Sequence, residues 1–186
     1  MAKKPTTDTA NAANTDASSA SSASSASAQQ FAIQKIYLKD GSLETPGTPE
    51  VFTQSWKPEA RVELNTRRNS IGENLYEVVV TATVTATMNE KTAYLCEVHQ
   101  AGVFNVSGFD DNATDQLLGA YCPGVLFPYA REAITDLTAK AGFPPMTLSP
   151  VNFDALYARQ RQQAAKAAQS ADGGNEQADA EPDSNS

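Results

Sequence analysis

The sequence has few of the residues on which catalytic and metal-binding sites usually depend. Its 186 residues include one histidine and two cysteines, and they contain no CxxC, HxxxH, GxGxxG or P-loop pattern. A single histidine removes most metal-ligand sets and most acid–base schemes. Cys96 and His99 have an odd separation along a predicted strand, which sends them to opposite faces and excludes a thiol–imidazole pair. We therefore expect a protein that is not an enzyme and that holds no metal or cofactor.

One acidic segment resembles the start of a calcium-binding loop. Residues 110–116 read DDNATDQ, but the sixth position is Asp115 where such loops have glycine, and the twelfth is Tyr121 where they have glutamate. Aspartate is a preferred residue immediately before a helix. We therefore interpret the segment as a helix cap.

The sequence also lacks long apolar runs and an excess of positive charge. It has no apolar stretch of the length that a transmembrane helix needs, and Lys3 and Lys4 are not followed by the apolar run of a signal peptide. The formal net charge of −8 argues against nucleic acid as a partner. We expect a cytoplasmic protein, in which Cys96 and Cys122 remain reduced thiols.

Two terminal segments lack the side chains that build a core. Residues 1–30 contain no aromatic residue and, apart from Met1, no aliphatic residue larger than alanine. Residues 164–186 combine acidic residues with alanine, glycine and a proline. Both segments are predicted to be disordered, because neither can bury enough apolar surface to offset chain entropy. A single domain of residues 31–163 remains.

Alternating apolar and polar residues predict four antiparallel strands. The clearest segment is LYEVVVTATVTATM, residues 75–88, in which the even-numbered residues share one face and threonines lie on the other. Asn89-Glu90 reads as a tight turn into a partner strand. The other strand segments are FAIQKIYLKDGSL (31–43), ARVELNTRR (60–68) and KTAYLCEVHQAGVF (91–104).

Strict alternation also assigns the side chains of the first strand to faces. It places Phe31, Ile33 and Lys35 on one face, and Ile36 and Leu38 on the other. The strand is followed by a crossing rich in proline, ETPGTPEVFTQSWKP (44–58), which is predicted to be irregular but to hold its own apolar side chains.

Helical signals begin only after Gly108. A first main helix is predicted from about Pro123 to Lys140, and a second begins around residues 150–152. Strands followed by helices indicate an α+β fold, with a four-stranded antiparallel sheet and two main helices on one face. Both faces of the sheet carry apolar residues, and the segment GAYCPGVLFPYARE (119–132) is strongly apolar. Two helices cover only one face, so we expect an oligomer.

Five blocks of this sequence resemble the SecB family of protein-export chaperones. They are FAIQKIYLKD, PEVF with the following Trp56 and Pro58, AYLCEVHQAGVF, LGAYCPGVLFPYARE, and FPP followed by PVNFDALY. The blocks occur in one order from Phe31 to the region of Gln160. The leader is longer than is usual in the family, and His99 stands where glutamine is more common.

The resemblance implies a cytoplasmic homotetramer built as a dimer of dimers. Such proteins hold unfolded secretory precursors without ATP or a cofactor, and deliver them to the SecA translocation ATPase. Client binding needs exposed apolar surface, and we expect one groove lined by residues of the crossing, the second strand and the last helix: Val51, Phe52, Trp56, Val62, Leu64, Phe153, Leu156 and Tyr157. The alternative, that these are plain core residues, stays open for Phe52 and Phe153.

The resemblance also implies a docking surface and a subunit contact. Four residues match an acidic, partly apolar surface that receives the basic zinc-binding tail of SecA, whose zinc belongs to the partner: Asp40, Glu44, Leu95 and Glu97. Three residues on the other face of the sheet match positions at or near the contact between dimers: Cys96, Val98 and Gln100. We also expect aromatic residues of the apolar segment at subunit contacts: Tyr121, Phe127 and Tyr129.

Two other functions remain open at this point. SecB-like proteins also occur as chaperones of toxin–antitoxin pairs, and their grooves would look much alike. The acidic residues Asp40, Glu44 and Glu97 favour export. The second alternative is an oligomeric adaptor with no unfolded client.

Overall fold

The computed structural model describes residues 28–172. The leader that we predict to be disordered lies outside the described residues up to residue 27, and the acidic tail lies outside them from residue 173 onward. The described part is a four-stranded antiparallel sheet in the order β1-β4-β3-β2, followed by helices. The predicted α+β fold is confirmed. The strands are β1 (Gln30–Glu44), β2 (Glu59–Gly72), β3 (Leu75–Met88) and β4 (Lys91–Ser107).

A two-residue turn joins the central strands β3 and β4. Asn89 and Glu90 both have positive φ angles, 50° and 61°. This backbone matches the right-handed twist of a hairpin. The turn fixes a register in which Val84 lies opposite Cys96 and Thr83 lies opposite Glu97. The predicted hairpin and the predicted faces of β3 and β4 are therefore both present.

The two faces of the sheet differ in composition. We call the face under the helices the covered face and the other the open face. On the central strands β3 and β4, the side chains of the covered face are almost fully buried, among them Val78, Val80, Ala82, Val84, Cys96, Val98 and Phe104. The open face carries the threonines of β3 and most of the charged residues of β1 and β2.

Two bulges in β1 change the faces that strict alternation predicts. The register with β4 shifts between Ile33 and Lys35, and again between Leu38 and Asp40. Ile36 therefore lies on the covered face with Ile33, so the predicted separation of these residues is wrong. An extra residue in one strand re-aims every side chain after it. The second bulge returns Asp40 to the open face.

The helical region begins with α1 (Asp111–Gln116), continues through a π-helical turn (Leu117–Tyr121) into α2 (Cys122–Lys140), and ends with α3 (Phe153–Asp172). Asp110 caps α1, since its Oδ1 accepts a hydrogen bond from the Ala113 N–H at 2.7 Å. Asn152 caps α3 by accepting from the Ala155 N–H at 3.0 Å. The DDNATDQ segment is thus a helix start. No helix within residues 28–172 is long and apolar enough to cross a bilayer.

Helix α3 extends beyond the predicted end of the domain at residue 163. It continues to Asp172 through the sequence AAKAAQSAD, and the side chains of residues 158–167 are exposed. Alanine, lysine and glutamine are strong helix formers, and they sustain a helix with little packing. We predicted disorder from residue 164, whereas residues 164–172 continue the helix, because the composition indicates a lack of core-forming side chains and not a lack of helix propensity.

Helix α2 supplies the cover of the sheet. Its buried stripe includes Cys122, Leu126, Ala130 and Ile134, all with 0% exposure, at intervals of four residues. This stripe meets the apolar residues of β3 and β4 in two adjoining clusters. Pro123 lies in the first turn of α2, directly after the π-helical turn.

Candidate functional site

Four aromatic side chains form a cluster beside the covered face. Phe143, in the loop after α2, lies at its centre, with ring centroids 5.0 Å from Tyr94 and 5.3 Å from Trp56. Phe52 contacts the same ring at 5.1 Å. Trp56 also stacks on Tyr94 at 6.3 Å. The crossing is therefore held against the beginning of β4 by aromatic packing.

The predicted groove residues divide by burial into two sets, and we call the buried set the floor and the exposed set the rim. Val51 and Phe153 are buried, with 6% and 5% exposure. Trp56, Leu64 and Leu156 are partly buried against the same core. Phe52 and Val62 form the rim, because they are large apolar residues that remain 50% and 42% exposed. Of the two residues for which a plain core role stayed open, Phe153 is a core residue of the protomer and Phe52 is a surface residue.

Tyr157 lies apart from this floor and rim. Its hydroxyl donates to Asp115 Oδ2 at 2.5 Å, and Arg161 Nη1 donates to the same oxygen at 3.1 Å. Arg68 forms an ion pair with the other oxygen of Asp115. The Tyr157 ring packs directly on Gly119, where an added Cβ would lie 2.6 Å from two ring carbons. One carboxylate thus joins β2, α1 and α3.

The pKa of Asp115 reflects two opposing effects. Desolvation raises the pKa, but the hydrogen bonds from Tyr157 and Arg68 and the ion pair with Arg68 together lower it by more. The net pKa therefore lies below the ordinary value. The carboxylate therefore remains ionised and keeps its partners at neutral pH.

The four predicted docking residues share the open face. Three directly opposed pairs join β1 to β4 on this face: Asp40 with His99, Ser42 with Glu97, and Glu44 with Leu95. Opposed residues in an antiparallel pair project to the same side. Three carboxylates and one leucine therefore form one patch, which we call the acidic patch: Asp40, Glu44, Leu95 and Glu97.

Glu97 is the most closely held member of the acidic patch. Its Oε2 accepts a hydrogen bond from the Thr83 hydroxyl at 2.8 Å, and its Oε1 lies 2.8 Å from His99 Nε2. The hydrogen bond with His99 has the largest effect on the pKa of Glu97 and lowers it, followed by the bond from Thr83. Glu97 therefore presents a fixed negative charge.

Glu77, another carboxylate on the open face, is held by neighbouring side chains of the protomer. Glu77 on β3 is 8% exposed, and Lys39 Nζ lies 2.8 Å from both of its oxygens. Tyr37 donates a short hydrogen bond to Glu77 Oε1. Hydrogen bonds from Lys39 and Tyr37 lower the pKa of Glu77, and the bond to Glu77 raises the pKa of Tyr37. These contacts reach across β4 and tie the edge strand β1 to β3.

The strand residues assigned to a subunit contact are buried within the protomer. Cys96 and Val98 have 0% exposure and Gln100 has 4%. They lie within the protomer's own core, because the even positions of β4 face α2. Phe127 is likewise buried, at 4%, and its ring packs on Phe153 at 5.6 Å. None of these four residues offers a surface to another subunit in the protomer as described.

The two tyrosines assigned to subunit contacts are exposed instead. Tyr121 is 53% and Tyr129 is 49% exposed on the outer side of the helical region. Tyr121 also packs edge-on against Phe31 of β1, with ring centroids 5.2 Å apart. Two further apolar residues on β1, Ile33 and Leu38, are 44% and 53% exposed. Exposed apolar side chains therefore occur both in the helical region and on β1.

The cysteines are placed for packing. Burial raises the pKa of the Cys96 thiol to about 11 and that of Cys122 to about 12. Neither thiol is a nucleophile at neutral pH. His99 is on the other sheet face from Cys96, as predicted. Within residues 28–172, no three His, Cys, Asp or Glu side chains are grouped as metal ligands.

Sequence reasoning missed three members of these arrangements. Phe143 and Tyr94 organise the aromatic cluster, and Asp115 anchors α3. Alternation placed Tyr94 on the same face as Cys96, and the sequence shows Phe143 as an aromatic residue directly before Pro144 and Pro145. Asp115 carried only the signal of a helix cap, so its role depends on contacts between distant elements.

Comparisons with known proteins agree with the resemblance. The family model described as preprotein translocase subunit SecB matches residues 24–164. The protein-export protein SecB of Alkalilimnicola ehrlichii is 58% identical over 151 residues, which cover 80% of each chain. That of Halorhodospira halophila is 58% identical over 134 residues, covering 72% of this chain and 78% of the relative.

A solved structure shares the fold at much lower identity. It is the Mycobacterium tuberculosis SecB-like chaperone in complex with a peptide from the HigA1 antitoxin, with a TM-score of 0.52 and 17% identity, covering 65% of this chain and 87% of that one. Family membership implies binding of unfolded precursors and of SecA. The chain belongs to the SecB family of protein-export chaperones, and its function is chaperoning for export and not catalysis.

Proposed function

We propose that this chaperone is a cytoplasmic homotetramer. It binds unfolded secretory precursors along the groove formed by the floor and rim residues, and it docks the zinc-binding tail of SecA on the acidic patch. The observation that carries the proposal is the separation of two surfaces by one sheet. Exposed apolar residues adjoin the covered face, whereas the acidic patch occupies the open face. A client in the groove would leave the docking surface free.

The groove has the properties that promiscuous binding of unfolded chains needs. Its rim residues Phe52 and Val62 are exposed, and its floor residues Val51 and Phe153 are part of the rigid core. Burying about 100 Å² of apolar client surface contributes roughly 2.5 kcal/mol before ordering costs. One groove therefore binds weakly, and sequence tolerance follows from the lack of directional contacts.

Tetramer formation turns weak grooves into a strong binder. An unfolded chain that occupies several grooves gains avidity through effective concentration, whereas a folded protein cannot reach them together. The apolar surface formed by Ile33, Leu38, Tyr121 and Tyr129 supports self-association, since apolar surface of this kind is usually covered in a stable protein. Buried Cys96, Val98, Gln100 and Phe127 would influence assembly indirectly, by setting the position of α2.

Docking of the SecA tail uses charge complementarity on the open face. Asp40, Glu44 and Glu97 supply negative charge to a basic partner, and Leu95 supplies an apolar contact among them. Such contacts mainly set specificity and association rate, and salt screens them. Binding of the tail should therefore weaken as ionic strength rises.

Two variants with two measurements test the separation of surfaces. Glu97→Lys should abolish binding of a zinc-loaded SecA tail peptide, yet leave suppression of aggregation of a denatured precursor intact. Phe52→Ser combined with Val62→Ser should do the reverse. Glu73→Lys is the matched charge control, because Glu73 is exposed in the turn before β3. Glu97 pairs with Thr83, which lies further along that strand. Loss of both activities in either variant would refute the separation.

The same measurements separate the alternatives. A chaperone of a toxin–antitoxin pair would hold an unfolded client but would not bind the SecA tail peptide. An oligomeric adaptor would neither slow folding nor prevent aggregation of a chemically unfolded precursor.

A further inference from the structure

We propose that His99 is a positioning residue of the docking surface: in its neutral form it holds Glu97 for the SecA tail, and in its protonated form it weakens docking. This inference rests on the proposed function of the acidic patch. It adds a control by pH that the patch would not have without this residue.

His99 lies at the centre of the patch. Its direct partner on β1 is Asp40, and its direct partner on β3 is Thr81. Oε1 of Glu97, two residues earlier on β4, lies 2.8 Å from Nε2 of His99. The side chains of His99 and Glu97 are 33% and 41% exposed. The imidazole thus contacts the carboxylate of Glu97, lies at the strand position opposite Asp40, and remains accessible to solvent.

The neighbouring strands, which all lie in the described part of the chain, place no other free cation opposite His99. From β1 the facing group is Asp40, from β3 it is Thr81, and from β2, one strand further, it is Asn65. Lys39 precedes Asp40, but its ammonium group is bound to both oxygens of Glu77. Within residues 28–172, no helix packs on this face.

The chemistry of imidazole gives the site two states. A carboxylate only accepts hydrogen bonds, so Nε2 carries the proton in the contact with Glu97. The neutral ring therefore orients one oxygen of Glu97 while Thr83 orients the other, and the three carboxylates of the patch contribute −3. A second proton on His99 adds a positive charge, and the local sum becomes −2. A single substitution therefore removes this second state, since the chain has one histidine.

The test is a pH profile of docking for the full chain. Affinity for a zinc-loaded synthetic SecA tail peptide is measured by fluorescence anisotropy between about pH 8 and about pH 6 at a constant ionic strength of about 0.1 M. The same peptide is used with every variant, so its own titration cancels. His99→Gln keeps an N–H donor without a titrating charge, and His99→Lys carries a fixed positive charge.

The expected result is a fall in wild-type affinity at the lower pH that exceeds the fall in His99→Gln by about two- to fivefold. His99→Lys should already bind about two- to fivefold more weakly than wild type at the higher pH. Suppression of precursor aggregation, measured on each variant, verifies that it is folded. Equal pH profiles for wild type and His99→Gln would overturn the inference and leave the docking function standing. Failure of the peptide to bind any form would overturn the docking proposal together with the inference.

Discussion

The two faces of one sheet have been put to different uses by residues that alternate along the same strands. On β4, Cys96 and Val98 are fully buried under α2, whereas their neighbours Glu97 and His99 lie on the open face. The covered face stabilises the fold, and the proposed groove lies at its border. The open face keeps threonine and charged side chains that remain accessible to a partner. The period of two in a strand is what allows a rigid apolar support and an accessible polar surface to share one sheet.

The largest expected effect comes from placing the same charged residue on each face in turn. Val98→Arg buries an unpaired cation under α2 and should cost at least about 3 kcal/mol of unfolding free energy. Thr85→Arg, on the open face, should cost less than about 1 kcal/mol. Urea denaturation measures both.

Native mass adds a second measurement on the same pair. Displacement of α2 in Val98→Arg should yield dimers, while Thr85→Arg should keep the assembly of the unmodified protein. A tetramer that persists in Val98→Arg, or equal destabilisation by the two substitutions, would contradict the assignment of faces.

An intermediate effect is expected where α3 is anchored beside the covered face. Gly119→Ala places a Cβ against the Tyr157 ring and should cost about 1 to 3 kcal/mol, since the ring must leave its place beside Asp115. Gly124→Ala is the control, because no atom of the protomer lies within 4 Å of the added Cβ. Alanine there should stabilise the helix by up to about 1 kcal/mol. Thermal unfolding of both variants measures the contrast, and a similar change in both would refute the contact.

The smallest effect concerns Glu77, an open-face carboxylate that is held by Lys39 and Tyr37. The folded-state pKa of Glu77 lies below the ordinary value of 4.5, chiefly through Lys39 and Tyr37. Its stabilisation is therefore complete above the unfolded-state pKa, and it is lost as pH falls through the lower folded-state pKa. Glu77→Gln should flatten the loss of stability in this acid range, by about 1 kcal/mol or less. Glu73→Gln, in an exposed turn, should leave the acid profile of urea denaturation unchanged, and an identical profile for Glu77→Gln would count against the assignment.

The sequence allowed the sheet, its hairpin and its faces to be predicted because each follows from local alternation and turn chemistry. Residues 75–88 were predicted as a strand with the bounds that the structure has. The bulges in β1 were not predictable, since they arise from pairing with β4 and not from the pattern FAIQKIYLKD. Without the bulge after Leu38, alternation would place Asp40 on the covered face.

The candidate site was predictable in part for the same reason. Resemblance identified Asp40 and Glu44 as members of the acidic patch, but the opposition of Asp40 to His99 depends on the register of the folded sheet. Apolar composition identified Phe52 and Phe153 without distinguishing a surface residue from a core residue. Burial separates them, and it depends on Phe143 and Phe127, which are distant along the chain.

The most direct test of the central claim is the native mass of the purified protein with and without a chemically unfolded secretory precursor. The protein alone should have the mass of a tetramer. Addition of the precursor should give a single complex of that tetramer with the unfolded chain, and a folded form of the same precursor should give none. A protein that stays monomeric, or that leaves the unfolded precursor to aggregate as if it were absent, would contradict the account.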